Sequence, residues 1–545
     1  MIHLTLRRMP LRPVRTLLAV VAGLSLLLGA CSAPDRPDPA LISVFTSEPQ
    51  NPLIPTNTNE NGGGVILGTL FRGLIRYAPD GTTRLAVAES ITPNDDATRF
   101  DIRLRPGWTF SNGEPVTADS FINAWNYGAA VRNGQAQSTF FESIKGYDDV
   151  ASEGATSDTM SGLRKVDDLE FTVELSAPES TWPERLGATT YSPLPSVAFE
   201  DMDAFGQHPV GNGPYMFDSW QHNVGIRVLR NPTYAGDDPA RNPGLDFRVY
   251  TSVDTAYSDL QSGDLDSVRE TVGPRDLASY QADFPDSHSS RPFAAVQYIT
   301  VPSSLSHFGP GEEGRLRRQA ISLAVDRRLV TDKVFFSSRT PARDFGAPTL
   351  SGGVPDLRGA DVLDHNPDRA RQLWAQADAI SPWSGTFEVA YNADGGHKEW
   401  VEAVTNSVRQ TLGIEAHGKA YPNFKGMRND IVAGTVDAAF RSGWNADYPS
   451  IANFLEPNFA TGAASNDGGY TNPEFDRLLA AARGTTDPED ARRTYIRAQE
   501  ILLRDLPAIP LWYYAASTAW NPALRGFETG WDGTPVFTEI TKETD

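Results

Sequence analysis

Cysteine is almost missing. The chain of 545 residues holds one, Cys31, so no disulfide can form within it. Histidine is sparse: eight residues, scattered, with no pair at i, i+4, which speaks against a metal site. GxxxxGK(S/T), HExxH and GxSxG do not occur, so P-loop, zinc-protease and nucleophile-elbow chemistry have no basis here. Gly211-Asn212-Gly213 lacks the third glycine of a dinucleotide turn. Basic residues are the minority: 48 Lys and Arg against 69 Asp and Glu give a formal charge of −21. So acidic a surface lacks the positive footprint that nucleic acid requires. These gaps predict no cofactor, no metal, no nucleic-acid partner and no enzyme. A surface hydrolase is the remote alternative, without a motif to support it.

Long apolar runs are also scarce. Thr16 to Leu28 (TLLAVVAGLSLLL) is too short for a spanning helix of about 20 residues. It follows Arg7, Arg8, Arg12 and Arg15, and precedes Leu28-Gly29-Ala30-Cys31. A basic region, an apolar region and small residues before a cysteine predict a lipoprotein signal peptide over 1–30, with Cys31 lipidated. One lipidated terminus anchors a soluble body to a membrane surface. Residues 31–40, rich in Pro, read as a tether. The whole chain is 40% hydrophobic and 21% charged, a globular composition long enough for two or three domains.

What the chain does have is concentrated in Phe440 to Asp476. Thr435 to Phe440 (TVDAAF) reads as a short strand. Gly443 then leaves the backbone open to close approach. Trp444 offers a flat apolar surface with one N–H. Asp447, before Tyr448-Pro449, is placed as a carboxylate can be held at a turn. Arg441 adds a cationic fork. Cation, anion and aromatic wall within seven residues suit a zwitterion with an apolar body, such as a peptide.

Elsewhere strands alternate with helices. LISVFT (41–46), FDIRL (100–104), LEFTVEL (169–175), VQYITV (296–301) and the run 509–514 read as strands. The spacing predicts helices over 65–75, 314–330, 364–379, 400–412 and 487–503. This alternation predicts an α/β fold with a largely parallel sheet.

Several segments together carry a resemblance: Phe71-Arg72-Gly73-Leu74, Leu104 to Trp108, Phe110 to Gly113, Pro115 to Asp119, Pro209 to Tyr215, Arg317 to Ile321, Gly443-Trp444 with Ala446 to Pro449, and Tyr470 to Asp476. In this order they resemble the extracytoplasmic oligopeptide- and dipeptide-binding lipoproteins of ABC importers, solute-binding family 5. The resemblance implies a two-lobed periplasmic-binding-protein-like fold of type II, with a hinge and an extra subdomain. On that reading 41–71, 191–296 and 508–545 form lobe 1, 72–190 the subdomain and 297–507 lobe 2. It implies a monomer, anchored outside the cytoplasm, that holds a peptide as an added strand and delivers it to permease and ATPase subunits. Asp447 matches the ammonium-binding position, Gly443 and Asn445 the backbone-pairing strand, and Trp444 the lining tryptophan. Arg441 and His397 match residues that meet the peptide carboxylate. The segment from Asn59 through Glu60 to Asn61 matches the opposite backbone wall, and Phe140 falls near a lining aromatic. Family relatives also hold other solutes, a sugar or a nickel chelate, which is the alternative ligand class.

Overall fold

The computed structural model describes residues 40–269, 272–273, 275–350, 356–393, 396–422, 424–463 and 465–543. The expected signal peptide, Cys31 and the tether up to residue 39 lie outside the described residues. Among the described residues no helix is long and apolar enough to cross a membrane.

Five strands and three helices place the site. The strands are β1 (Ile42–Thr46), β2 (His288–Thr300), β3 (Phe387–Asn392), β4 (Ala439–Asn445) and β5 (Ala508–Trp520). The helices are α1 (Asn61–Leu70), α2 (Phe424–Val432) and α3 (Ile451–Phe459). One sheet runs through the molecule in the order 416–421, β3, β4, β2, β5, 267–268, β1, 244–249, 225–230, 215–221. It is mixed rather than largely parallel. β1 pairs parallel with 244–249, and β3 parallel with 416–421 and β4. β2 pairs antiparallel with both β4 and β5. The helix Lys398–Leu412 makes the crossover between β3 and 416–421, and two 13-residue strands returning past each other make the antiparallel centre.

Those two long strands join two lobes. β2 pairs with β5 over 288–292 and again over 296–300, with a break between Pro292 and Val296. The first half of β5 packs with 296–300, and its end pairs with 267–268. The boundary expected at residue 508 thus falls at the start of a strand that serves both lobes. One apolar core gathers residues 42–247 with 524–540, and a second gathers 294–298 with 342–363 and 452–513. Within the first core, a four-stranded antiparallel sheet of 88–93, 99–104, 163–167 and 170–174 packs with the helix Ala118–Ala129.

Two expected elements differ. The helix predicted over 314–330 is two helices, Glu312–Ala324 and Arg327–Lys333; Asp326 stops the first and caps the second through Leu329 N–H at 2.9 Å. The strand read at 435–440 begins at Ala439 and continues to Asn445. Its pairing with β2 over 295–300 sets these limits, and that partner lies some 140 residues away in sequence.

Candidate ligand-binding site

β4 has a partner on one side along its length and on the other only at its start. Among the described residues the register with β3 ends at Ala390 opposite Phe440. Among the described residues, Ser442 to Asn445 have a strand partner only in β2, with Gly443 opposite Gln297 and Trp444 opposite Val296. An open strand edge offers unpaired N–H and C=O groups to an incoming chain. Gly443 and Asn445 are exposed there. The glycine has a second reason: a Cβ at 443 would lie 2.8 Å from the Val296 carbonyl oxygen.

Asp447 lies just past this edge. Asn453, in the first turn of α3, holds it. The Asn453 amide donates to the Asp447 carboxylate at 3.0 Å, and its oxygen accepts from Asp447 N–H and from the Trp444 indole, both at 2.9 Å. One amide therefore fixes the aromatic wall and the acid together. Asp447 keeps exposed surface, yet burial is the largest influence on its carboxyl and pushes its pKa up; the Asn453 hydrogen bond partly opposes this.

Asp532 shows the same combination. It is exposed, and burial raises its pKa while hydrogen bonds from Thr534, and more weakly the charge of Arg269, counter. A line of contacts joins it to the rest. Arg269 donates to Asn61 at 2.8 Å and to the Phe45 carbonyl at 3.0 Å. Ala294 N–H donates to the Trp531 carbonyl at 2.7 Å, and Ala446 N–H to the Ala294 carbonyl at 2.8 Å. Asn61 from the first lobe and Asp447 from the second are thereby connected across the sheet.

The remaining residues divide. Arg441 donates to Asn392 at 2.7 Å and lies over the Phe424 ring at 4.7 Å. His397 precedes the helix Lys398–Leu412 and accepts from the Trp400 indole at 3.1 Å. Glu60 caps α1: its two carboxylate oxygens take Gly63 N–H at 3.0 and 3.1 Å. Phe140 is half-buried against Tyr191, with ring centroids 6.2 Å apart. Asn392, Asn453, Phe424 and Asp532 are absent from the sequence reading. Only Asn453, six residues beyond Asp447, sits near a motif that could have flagged it.

Two residues of the segment 72–190 also reach residues far along the chain. Ser180 N–H donates to the Arg483 carbonyl at 2.8 Å, and Arg185 lies over the Tyr448 ring at 5.6 Å. Arg185 pairs with Glu179, and Arg483 with Glu456 at 3.2 Å.

Residues 82–466 match the sequence pattern described as bacterial extracellular solute-binding proteins, family 5 Middle. The chain belongs to this family. Its members are solute-binding proteins rather than enzymes. The periplasmic oligopeptide-binding protein OppA of Escherichia coli is 26% identical over 473 residues, 85% of each chain. The unliganded open form of the periplasmic murein tripeptide-binding protein MppA superposes with a TM-score of 0.78 at 21% identity, covering 92% of this chain and 97% of that one. OppA of Haemophilus influenzae in complex with RPPGFSPFR gives a TM-score of 0.72 at 22% identity, covering 92% and 99%. The fold is that of the two-lobed periplasmic binding proteins. The chain is a solute-binding protein of the bacterial extracellular family 5.

Proposed function

We propose that the protein captures peptides between its lobes, with the peptide backbone added to the open edge of β4 and its ammonium at Asp447. The open edge at Ser442 to Asn445 carries the reading. An extended chain there forms main-chain hydrogen bonds that ignore side-chain identity, which suits a carrier of mixed peptides. Asp447, desolvated and held by Asn453, is ready to accept an ammonium ion. Relatives named for oligopeptide or murein-tripeptide binding support a peptide ligand. Arg441 and Asp447 are six residues apart, at most roughly 20 Å at full extension. Arg441 then meets the carboxylate of a peptide longer than three residues.

The lobe division given above, lipidation of Cys31 and delivery to permease and ATPase subunits belong to the same proposal. Calorimetric titration with short unblocked peptides tests its centre. Wild type binds them. Asp447→Ala leaves the ammonium unpaired and weakens binding by about 3 kcal/mol, more than a hundredfold. Unchanged affinity in Asp447→Ala removes the anchor role, and N-acetylated peptides binding as tightly as free ones removes it independently.

A further inference from the structure

A cavity of about 270 Å³ lies away from the open strand edge. Neither β4 nor Asp447 lines it. Thr181 and Glu184 of the segment 72–190 form one side, and Pro449 to Ile451, where α3 begins, form another. Asp344 and Leu350 close it together with the helix Pro488–Asp505, which presents Glu489, Arg492 and Ile496.

Asp344 is the unusual group on this wall. It is only 3% exposed. One carboxylate oxygen accepts from the Tyr513 hydroxyl at 2.7 Å and from Gly346 N–H at 3.0 Å. The other oxygen has no hydrogen-bond partner among the described residues. The Tyr513 hydroxyl is itself fixed, since it accepts from the N–H groups of Arg343 and Asp344 at 2.9 and 3.1 Å. Among the described residues neither Asp344 nor Glu184 forms an ion pair, and burial raises the pKa of both carboxyls. Arg492 is the one cation among the described residues of the wall, and it is paired with Glu489 at 3.1 Å.

We propose that this cavity is a second ligand site, for a small organic amine that sets its ammonium group at Asp344 and Glu184 and its apolar body against Leu350, Ile451 and Ile496. Charge is the first argument. Two carboxylates without a cation line one cavity, and a buried carboxylate oxygen without a donor is costly until something supplies one. An ammonium group brings three donors and the missing charge. Among the described residues no group of three His, Cys, Asp or Glu could hold a metal ion, which favours an organic cation. Size is the second. An apolar cavity of about 150 Å³ holds benzene, so about 270 Å³ holds a ring with a short amine arm. Position is the third. An occupant that touches Glu184 and Asp344 at once ties the segment 72–190 to the start of α3, the helix whose Asn453 holds Asp447. The site stands whether or not peptides add to β4.

The test titrates 2-phenylethylamine into the purified full chain, read by ligand-observed NMR. 2-Phenylethanol is the neutral counterpart and 3-phenylpropionate the anion. The amine is expected to bind, and the alcohol and the acid at least tenfold more weakly. Asp344→Asn keeps an acceptor for Tyr513 and Gly346 and is expected to weaken the amine at least tenfold. Glu184→Gln, at a part-exposed position, weakens it at least threefold. Asp447→Ala removes the other ammonium site, and the amine is expected to bind this variant as tightly as wild type. Amine binding that is absent, or matched by the alcohol, overturns the proposal. So does binding lost in Asp447→Ala but kept in Asp344→Asn, which places the amine at the β4 edge. Where Asp344→Asn does not fold, Glu184→Gln decides, and unchanged affinity there overturns the site. None of these outcomes alters the peptide reading, which the peptide titrations test separately.

Discussion

Asp447 couples ligand capture to proton concentration. Burial raises its pKa above the ordinary carboxylate range in the empty protein. An ammonium ion beside it favours the charged form and draws the pKa down again. The bound state therefore holds fewer protons than the empty one. Affinity is full above the raised pKa of the empty protein, and falls as the pH drops through it. The peptide amine, with an ordinary pKa of about 8, sets an upper limit. Titration from pH 4 to 9 is expected to show an optimum between these two limbs, with the acid limb absent in Asp447→Asn. Asn453 is the positioning residue. Replacing it with Ala removes the donor to the carboxylate and the acceptor for the Trp444 indole. The acid limb then moves to higher pH, because the hydrogen bond that favoured the charged form is gone.

Among the elements, α1 shows why some of the chain was legible and some was not. The sequence reading began this helix at Val65, where apolar periodicity begins. It begins at Asn61, within Gly62-Gly63-Gly64, a run with poor helix propensity. Two tertiary facts override propensity. Glu60 caps the helix, and a Cβ at Gly62 would lie 2.6 Å from the Ser47 hydroxyl, a close approach only glycine permits. Half-exposed strands such as Arg99–Leu104 were legible because alternation is local. The extent of β4 was not, because a distant partner sets it. Asp447, Trp444 and Gly443 stood out as residue types beside a turn; Asn453 did not, since an asparagine early in a helix announces no partner. Gly211-Asn212-Gly213, unexplained as a nucleotide motif, is a buckle against the end of α1. Gly213 N–H donates to the Leu70 carbonyl at 2.7 Å, and Asn212 exchanges hydrogen bonds with the Arg72 backbone at 2.9 and 3.0 Å. A Cβ at 211 would lie 2.0 Å from the Leu70 oxygen. Gly211→Ala is expected to destabilise by about 2–4 kcal/mol in urea unfolding, as overpacking against fixed backbone.

At the scale of the whole molecule, the segment 72–190 packs next to Asp447, with Arg185 over the ring of Tyr448. Arg185 pairs with Glu179 and covers Tyr448, and both side chains of that ion pair are nearly buried, at 13% and 7% exposed. Arg185→Ala leaves Glu179 buried without its cation, a loss of about 3–5 kcal/mol. Burial already raises the Glu179 carboxyl, and without Arg185 it rises further. A buried acid of raised pKa destabilises above that pKa and is relieved as the pH falls below it. Chemical denaturation is expected to show a larger loss for Arg185→Ala at pH 7.5 than at pH 5, with weaker peptide affinity at both.

The two long central strands also decide how the protein can be cut. β5 enters the sheet from the carboxy-terminal end of the chain and lends one half of itself to each lobe. A protein ended before residue 508 would lose the middle of its sheet on both sides of the cleft at once. Neither palm can be prepared as an autonomous fragment without that final strand, and a ribosome must finish nearly the whole chain before either half can close its core.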